Sequence, residues 1–415
     1  VRVLHTSDWH LGRTTRGVDR RPDQAAAFEE VLALARDFRP HLVLHSGDLF
    51  DFGRPTVEDM KMAHDMLRRL GEVAPVLVLA GNHDSPTLFD LFNELLGPAS
   101  PVHFVGNPRS PSAGGLLERP GADGETALVA MVPFVHANRA VDMLGVEAAG
   151  RHAAYADKMQ AIFTAFAQEM ERRYDARRHV LLVAAHLYLE GATFSRERSE
   201  RLLHVSEHYA ARAGHLPPVS YAAFGHIHLP QVLPGGLPGW YAGSLIPLDF
   251  GEEGEVKQVV LVEAAPGRAP RVRPVPLSAG RPLLTLEGSQ EELEGRAAGV
   301  GEALLNLVVH TGQPTPGLRE WAEKVFPRAV LVEIRERCSA SQLTLVEETP
   351  GEGGDFATLE EAFEAYLAEA APEDLDAEAS RQLFRGLALE AQAGEALAPA
   401  IHGQLAEALA QEVPS

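Results

Sequence analysis

The sequence predicts an α/β fold whose ligand-bearing turns gather beyond the carboxyl ends of its strands. Two observations carry that expectation. From Val1 to about Ala80, apolar strand-like runs alternate with helical periodicity, the order of right-handed βαβ units with parallel pairing. Five apolar runs along the chain also end in ligand-type residues: Asp8-Trp-His10, Gly47-Asp48-Leu-Phe-Asp51, Gly81-Asn82-His83-Asp84, Ala185-His186 and Gly225-His226-Ile-His228. In an open α/β sheet ligands bind at that end of the strands, so the five turns can converge on one place. Together they hold enough imidazole, carboxylate and amide donors for two metal ions.

The elements follow in order. Val1–Thr6 reads as a strand and Asp23–Phe38 as a helix opened by Pro22-Asp23. Next come the strand His41–Ser46, the helix Thr56–Leu70 with Thr56 as its N-cap, and the buried strand Pro75–Ala80. Ser85–Leu96 is helical, and shorter strands lie near Val102–Val105 and Thr126–Val132. A long helix, Tyr155–Tyr174, leads into the strand His179–Ala185. From Ser220 to Val275 short strands separated by Gly and Pro suggest a meander. Composition changes near Pro274-Val-Pro276. Beyond it, Leu283–Glu287, Gln290–Ala297, Leu304–His310, Gly317–Val325 and Ala329–Glu336 form a βαβαβ pattern able to make its own small core. Thr349–Asp355 reads as a linker, and acidic helical patterns follow at Leu359–Ala370, Ala379–Leu389 and Ile401–Leu409. The expected domains are 1–275, a cap at 276–345, and a linker with helical tail at 346–415.

At 415 residues, with 45% apolar and 23% charged residues, the chain has the composition of a soluble globular protein of two or three domains. No apolar run approaches the ~20 residues needed to span a bilayer. With the first strand beginning at Val1 no signal peptide is expected, and the single cysteine, Cys338, excludes an internal disulfide framework. A cytoplasmic location is the expectation. The net charge of −21 argues superficially against nucleic acid, but 14 carboxylates against only Arg381 and Arg385 concentrate much of it in residues 351–415.

In the five turns, Asp8 and His10 are two residues apart, as are His226 and His228, so on extended backbone each pair can point at one centre. Donors of this kind without thiolate suit Mn, Fe or Zn better than copper or an iron–sulfur cluster. A carboxylate shared between ions ~3.5–4 Å apart clamps both the attacking and leaving oxygens of a phosphoryl group, and Asp48 is the choice for that bridge. Taken singly, each turn is equally well a capped strand end or a hydrogen-bonded core histidine; five in the same topological position are not. His5 and His45 lie inside strand runs and are expected to be satisfied core groups.

Those turns resemble the calcineurin-like metallophosphoesterases. The stretches His5-Thr-Ser-Asp-Trp-His-Leu-Gly12, His45-Ser-Gly-Asp-Leu-Phe-Asp51 and Tyr241-Ala-Gly-Ser-Leu-Ile-Pro-Leu-Asp-Phe-Gly251 narrow the likeness. They resemble the bacterial nuclease subunits that work with an SMC-like ATPase in DNA repair and recombination. The resemblance covers residues 1 to about 275; beyond that only the domain order matches. It implies a four-layer α/β/β/α sandwich with a small α/β cap facing DNA. It also implies two divalent cations, manganese foremost, one held by Asp8, His10, Asp48 and His228 and the other by Asp48, Asn82, His186 and His226. His83 would then be the catalytic histidine that assists the departing 3′ oxygen, with Asp84 as its orienting carboxylate. Archaeal and eukaryotic relatives place a histidine at position 51, where this chain has Asp51, whose expected role is support of a ligand. The implied activity is 3′–5′ exonuclease action on duplex ends and endonuclease action on single strands and hairpins. Rival readings are a phosphomonoesterase or cyclic-nucleotide phosphodiesterase using the same metals, and a scaffold subunit whose site is vestigial.

Contacts outside the metal turns are fewer. Arg13 and Arg16, just after the first turn, and Arg196, Arg198 and Arg201, after His186, could contact DNA phosphates. The last three could equally pair with Glu197 and Glu200. Met62 and Met66 in the second helix and Phe92 in the third add more apolar surface than one buried face needs. They are either ordinary core or, as the resemblance favours, a homodimer surface, which would make a heterotetramer with the ATPase. The tail carries Leu359, Phe363, Tyr366 and Leu367, then Leu383, Phe384 and Leu387, at helical spacing. Helices that short are not stable alone in water, so the stripe needs a surface to cover. The resemblance points to the base of the ATPase's coiled coil.

Overall fold

The computed structural model describes residues 1–135, 155–195, 210–339 and Arg381. The linker and tail, and Arg196, Arg198 and Arg201, lie outside the described residues.

Among the described residues the expected helices form, and their ends show why. α1 (Arg21–Phe38) has Pro22 in its first turn and stops at Arg39, which turns left-handed. α2 (Val57–Gly71) is opened by a capping box: Thr56 Oγ1 accepts the Asp59 N–H and the Asp59 carboxylate accepts the Thr56 N–H. α3 (Pro86–Leu96) starts where Ser85 Oγ accepts the Leu88 N–H. α4 spans Tyr155–Arg173, α5 Gln290–Arg296 behind a second capping box of Ser289 and Glu292, and α6 Leu318–Val325.

Two six-stranded sheets stack face to face. The first runs Arg271–Pro276, Gln258–Glu263, Arg2–Thr6, Leu42–His45, Val76–Leu79, Val102–Val105; the second runs Gln231–Val232, Gly239–Tyr241, Tyr221–Gly225, His179–His186, Thr126–Val132, Leu116–Pro120. Strand alternation divides their side chains among three cores. Val3, Leu42, Leu44, Leu77 and Leu79 meet Ala127, Val129, Leu182 and Ala184 between the sheets. Leu4, Val43, Val76 and Val78 face Phe28, Val31 and Leu67 of α1 and α2. Val183, Ala185 and Phe224 face Met159, Phe163 and Phe166 of α4. The layers are therefore α/β/β/α, as expected. No described helix is long and apolar enough to cross a membrane.

Ser220–Val275 is not a meander. Tyr221–Gly225 lies parallel to both His179–His186 and Gly239–Tyr241, and Gln258–Glu263 leaves for the other sheet to pair antiparallel with Arg2–Thr6. Only Gln231–Val232 with Gly239–Tyr241, and Gln258–Glu263 with Arg271–Pro276, are hairpins. The Gly-Pro signals mark the turns truly, but strand partners are decided by the distant faces they bury.

A three-stranded parallel sheet, Leu283–Ser289, Leu304–Thr311, Val330–Cys338, is covered by α5 and α6 and has its own core around Leu286, Leu293, Leu307 and Phe326. A smaller apolar cluster joins Leu283 and Leu304 of this sheet to Phe250.

Of the positions expected at a dimer surface, Met66 is an internal residue, 3% exposed, because it shares the inward stripe of α2 with Ala63, Leu67 and Leu70. Met62 and Phe92 are only partly buried against that core. Between α2, α3 and the strand Val102–Val105 is an apolar cavity of about 720 Å³ lined by Met60, Ala63, Leu67, Phe92, Leu95 and Phe104.

Candidate metal centre

The five turns meet at the carboxyl ends of the central strands. Three donor groups form there: Asp8 with His10 and His228, Asp48 with His186 and His226, and His10 with Asp48 and His83. The ligand turns are not extended backbone. Asp8, His10, Asp48 and His226 take positive φ values of 50°, 46°, 53° and 96°. That conformation costs a non-glycine residue roughly 1–3 kcal/mol and persists where the surrounding structure demands it. It also corrects the idea that His226 and His228 point at one centre: the left-handed twist at His226 sends the two rings to different groups. Gly47 and Gly81 are demanded by close approach, since a Cβ at Gly47 would overlap the His186 ring and one at Gly81 the Asp48 carboxylate.

Three of the rings are fixed from behind. His10 Nδ1–H donates to Asp51 Oδ1 (3.1 Å), His186 Nδ1–H to the Ser46 carbonyl (2.9 Å), and His228 Nδ1–H to Glu252 Oε1 (2.9 Å). In the neutral form of each ring this leaves the Nε2 lone pair facing the site. His10 Nε2 and His228 Nε2 face each other at 3.0 Å, and His226 Nδ1 and His186 Nε2 at 3.3 Å, the latter two around Asn82 Oδ1 at 2.9 and 3.0 Å. Facing lone pairs repel unless a proton or cation lies between them. Two nitrogens bonded to one ion at ~2.0–2.1 Å sit about 3 Å apart, so the spacing fits a pair of cation positions. Asp48 Oδ2 lies between those positions, 3.5 Å from His10 Nε2 and 3.4 Å from His186 Nε2. Its Oδ1 accepts the His83 N–H at 2.9 Å.

The electrostatics agree. Burial, with Asp48 nearby, raises Asp8 to about 6 against the pull of His186 and His228. Burial also works to raise Asp48, but His186, His83 and His10 outweigh it and hold that carboxyl well below its usual range. Burial lowers His186, yet Asp48 and Asp8 lift it to about 9. A buried group of carboxylates that recruits protons onto imidazole in this way is one that a divalent cation would satisfy.

Residues 1–230 match the calcineurin-like phosphoesterase family. The chain belongs to that family. Within these phosphoesterases it belongs with the SbcD proteins. It is 30% identical to the SbcD component of the SbcCD nuclease of Bacillus subtilis (strain 168) over 298 residues, 68% of this chain and 71% of the relative. It is 28% identical to the Escherichia coli (strain K12) protein of the same name over 69% of this chain and 71% of that one. It is also 29% identical to DNA double-strand break repair protein Mre11 of Aeropyrum pernix, over 60% of this chain and 55% of that protein. The Asp and His clusters fit the dinuclear centre of a metallophosphoesterase.

Other expectations divide. Asp51 does support His10, and its backbone carbonyl accepts His83 Nδ1–H at 2.7 Å. Asp84 does not orient His83. Its oxygens accept the N–H groups of Leu49 (3.1 Å), Gly81 (2.9 Å) and Phe50 (3.0 Å), so it ties the Asp48 turn to the His83 turn. Burial, together with the Asp48 charge, raises it to about 7. Arg13 lies beside Asp51 (3.4 Å) and Asp249 (3.6 Å); Arg16 pairs with Glu333 at 2.8 Å and lies over the Phe250 ring. Both are engaged within the chain, Arg16 as a tie to the cap sheet. His5 is satisfied between Tyr221 Oη and Ser46 Oγ, whereas His45 Nε2 has no partner among the described residues.

Glu252 and Lys257 were not expected. Nothing in the sequence separates Glu252 from Glu253 or Glu255; its only signal is that it directly follows the family-like stretch ending at Gly251. Burial works to raise Glu252, but Lys257 and His228 hold it well below the usual carboxylate range.

Proposed function

We propose that the chain is the nuclease subunit of an SbcC–SbcD type complex, hydrolysing DNA phosphodiesters. One observation carries this reading most: two three-donor groups share the neighbourhood of Asp48, with His83 fixed at their edge. The donor sets of the proposal are Asp8, His10, Asp48 and His228 for one cation and Asp48, Asn82, His186 and His226 for the other, manganese foremost. Bound there, two divalent cations supply an acidified water and positive charge for the phosphate oxygens. The chain's own part is orientation and proton transfer. Asp51 and Ser46 fix the imidazoles of His10 and His186. His83, whose Nδ1–H is held by the Asp51 carbonyl, uses Nε2 to protonate the departing 3′ oxygen. The names of the relatives, a nuclease subunit and a DNA double-strand break repair protein, support DNA as substrate. The proposed actions on it are 3′–5′ exonuclease cleavage at duplex ends and endonuclease cleavage of single strands and hairpins. Residues 276–345 act as a cap facing the DNA. The test is cleavage of labelled duplex, hairpin and single-stranded DNA in Mn and Mg, beside nitrophenyl phosphate. Turnover of the monoester without cleavage of DNA would leave a phosphomonoesterase instead.

Two partner surfaces belong to the same proposal. The cavity between α2 and α3, with Leu91 and Leu95 45% and 74% exposed, is the homodimer surface. Charged substitutions at Met62 and Phe92 are expected to give a folded monomer that binds duplex more weakly, read by sedimentation and gel shift. An unchanged dimer would remove these helices from the interface. The tail docks SbcC at the base of its coiled coil, giving a heterotetramer. A chain ending at Gly354 is expected to keep Mn-dependent cleavage of single strands and to lose co-purification with SbcC. Undiminished capture of the ATPase, or outright unfolding, would exclude the tail as the docking element.

A further inference from the structure

Behind the candidate ligand His228 lies a buried ion pair that no step of the proposed reaction uses. Glu252 is fully buried and Lys257 3% exposed. Glu252 Oε1 accepts the His228 Nδ1–H at 2.9 Å; its Oε2 accepts the Leu248 N–H at 3.0 Å and pairs with Lys257 Nζ at 2.7 Å. Lys257 Nζ also donates to the His228 carbonyl at 3.0 Å and to Glu255 at 2.8 Å. The ammonium thus grips the backbone of the residue whose side chain its carboxylate partner orients. Desolvating two such charges costs several kcal/mol per ion, and apolar residues of similar volume often replace a buried pair without loss of stability. A pair in this place contributes geometry.

The turn that carries Glu252 is itself held on both sides. Phe250 packs with Leu283 and Leu304 of the cap sheet, and Glu253 Oε1 accepts the Thr285 N–H at 2.9 Å. The two donor groups also differ in what backs their rings. His10 and His228 are each backed by a carboxylate, Asp51 and Glu252, whereas His186 is backed by the neutral Ser46 carbonyl. A carboxylate behind an imidazole makes it a stronger donor and fixes its tautomer.

We propose that Glu252, anchored by Lys257, is a positioning residue that sets the affinity of the Asp8–His10–His228 cation position and leaves the Asp48–His186–His226 position unaffected. The inference rests on the reading of the two groups as a dinuclear centre. Removing an outer partner of this kind typically weakens metal binding by 10–100-fold.

The experiment is Mn²⁺ titration of the full, metal-free chain, followed by calorimetry and by electron paramagnetic resonance, which separates single from spin-coupled ions. Wild type is expected to bind two ions and develop the coupled signal. Glu252→Gln is expected to fill one position normally and the other 10–100-fold more weakly, with the coupled signal and DNA cleavage returning at high Mn²⁺. Lys257 keeps Glu255 as a partner in that variant. Should it nevertheless fail to fold, Glu252→Gln combined with Lys257→Met removes both charges of the buried pair, leaves the partly exposed Glu255 carboxylate to solvent, and carries the same expectation. A mainly structural role would lower thermal stability without a selective change in one binding event, and Mn²⁺ would not restore cleavage. Equal weakening of both positions, or of neither, overturns the proposal. A wild-type chain that binds fewer than two ions overturns the dinuclear reading and this inference together.

Discussion

Asp48→Asn is expected to leave a folded chain that holds neither cation position and has lost at least ~10³-fold in cleavage, the scale of several kcal/mol of metal-supplied charge stabilisation. The substitution is nearly isosteric. The Asn side-chain oxygen can still accept the His83 N–H that Asp48 Oδ1 accepts at 2.9 Å, and the Gly81 backbone can still pass as closely. What disappears is the charge of a carboxylate whose Oδ2 lies within 3.5 Å of an imidazole nitrogen from each group. An outer-partner substitution weakens one position by 10–100-fold. Loss of a shared anion reaches both positions and adds the cost of crowding two cations around neutral donors. Metal analysis of the purified variant after dialysis checks it, with circular dichroism as the control for folding. Two equivalents of Mn per chain in Asp48→Asn would remove Asp48 as the bridge.

The candidate site was legible because strand ends are local. A β-branched run closed by Gly or a ligand-type residue announces where a strand stops, and in a parallel sheet all such ends lie on one side. Asp8, His10, Asp48, His83, His186, His226 and His228 could be gathered that way without knowing any strand's neighbours. The layer order came from the family resemblance; the strand and helix alternation by itself gave only an α/β class with parallel pairing. What escaped depends on distant partners. Glu252 is 24 residues beyond His228 and turns inward only because Lys257, also inward, cancels its charge. The role of Asp84 was misjudged from its adjacency to His83: neighbouring side chains on a turn diverge, and Asp84 finds the Leu49 and Phe50 N–H groups instead. Met66 was misjudged because helical spacing cannot tell the core side of a broad apolar stripe from its edge. The strand Gln258–Glu263, read as part of a meander, joins Arg2–Thr6 because Val260 and Val262 fill the core between the sheets.

His83→Ala is expected to keep both cation positions and lose ~10²–10⁴-fold in DNA turnover, the usual worth of one acid–base group. The separation follows from the contacts. The hydrogen bond from His83 to the Asp48 carboxylate is its backbone N–H, donated to Oδ1, and alanine retains it. The ring contributes a different bond, Nδ1–H to the Asp51 carbonyl at 2.7 Å, and that bond aims Nε2. Its loss leaves the Asp51 carbonyl short of a donor at a cost of ~1–3 kcal/mol, which lowers the melting temperature but leaves the Asp8–His10–His228 and Asp48–His186–His226 groups with all their donors. The proton supplied by Nε2 matters in proportion to the basicity of the departing oxygen. A deoxyribose 3′ oxygen needs it and a nitrophenolate does not. His83→Ala should therefore lose far less activity on bis-nitrophenyl phosphate than on single-stranded DNA, with Mn content near that of wild type. Equal losses on both substrates would take proton donation away from His83, and loss of metal in the variant would make it a ligand instead.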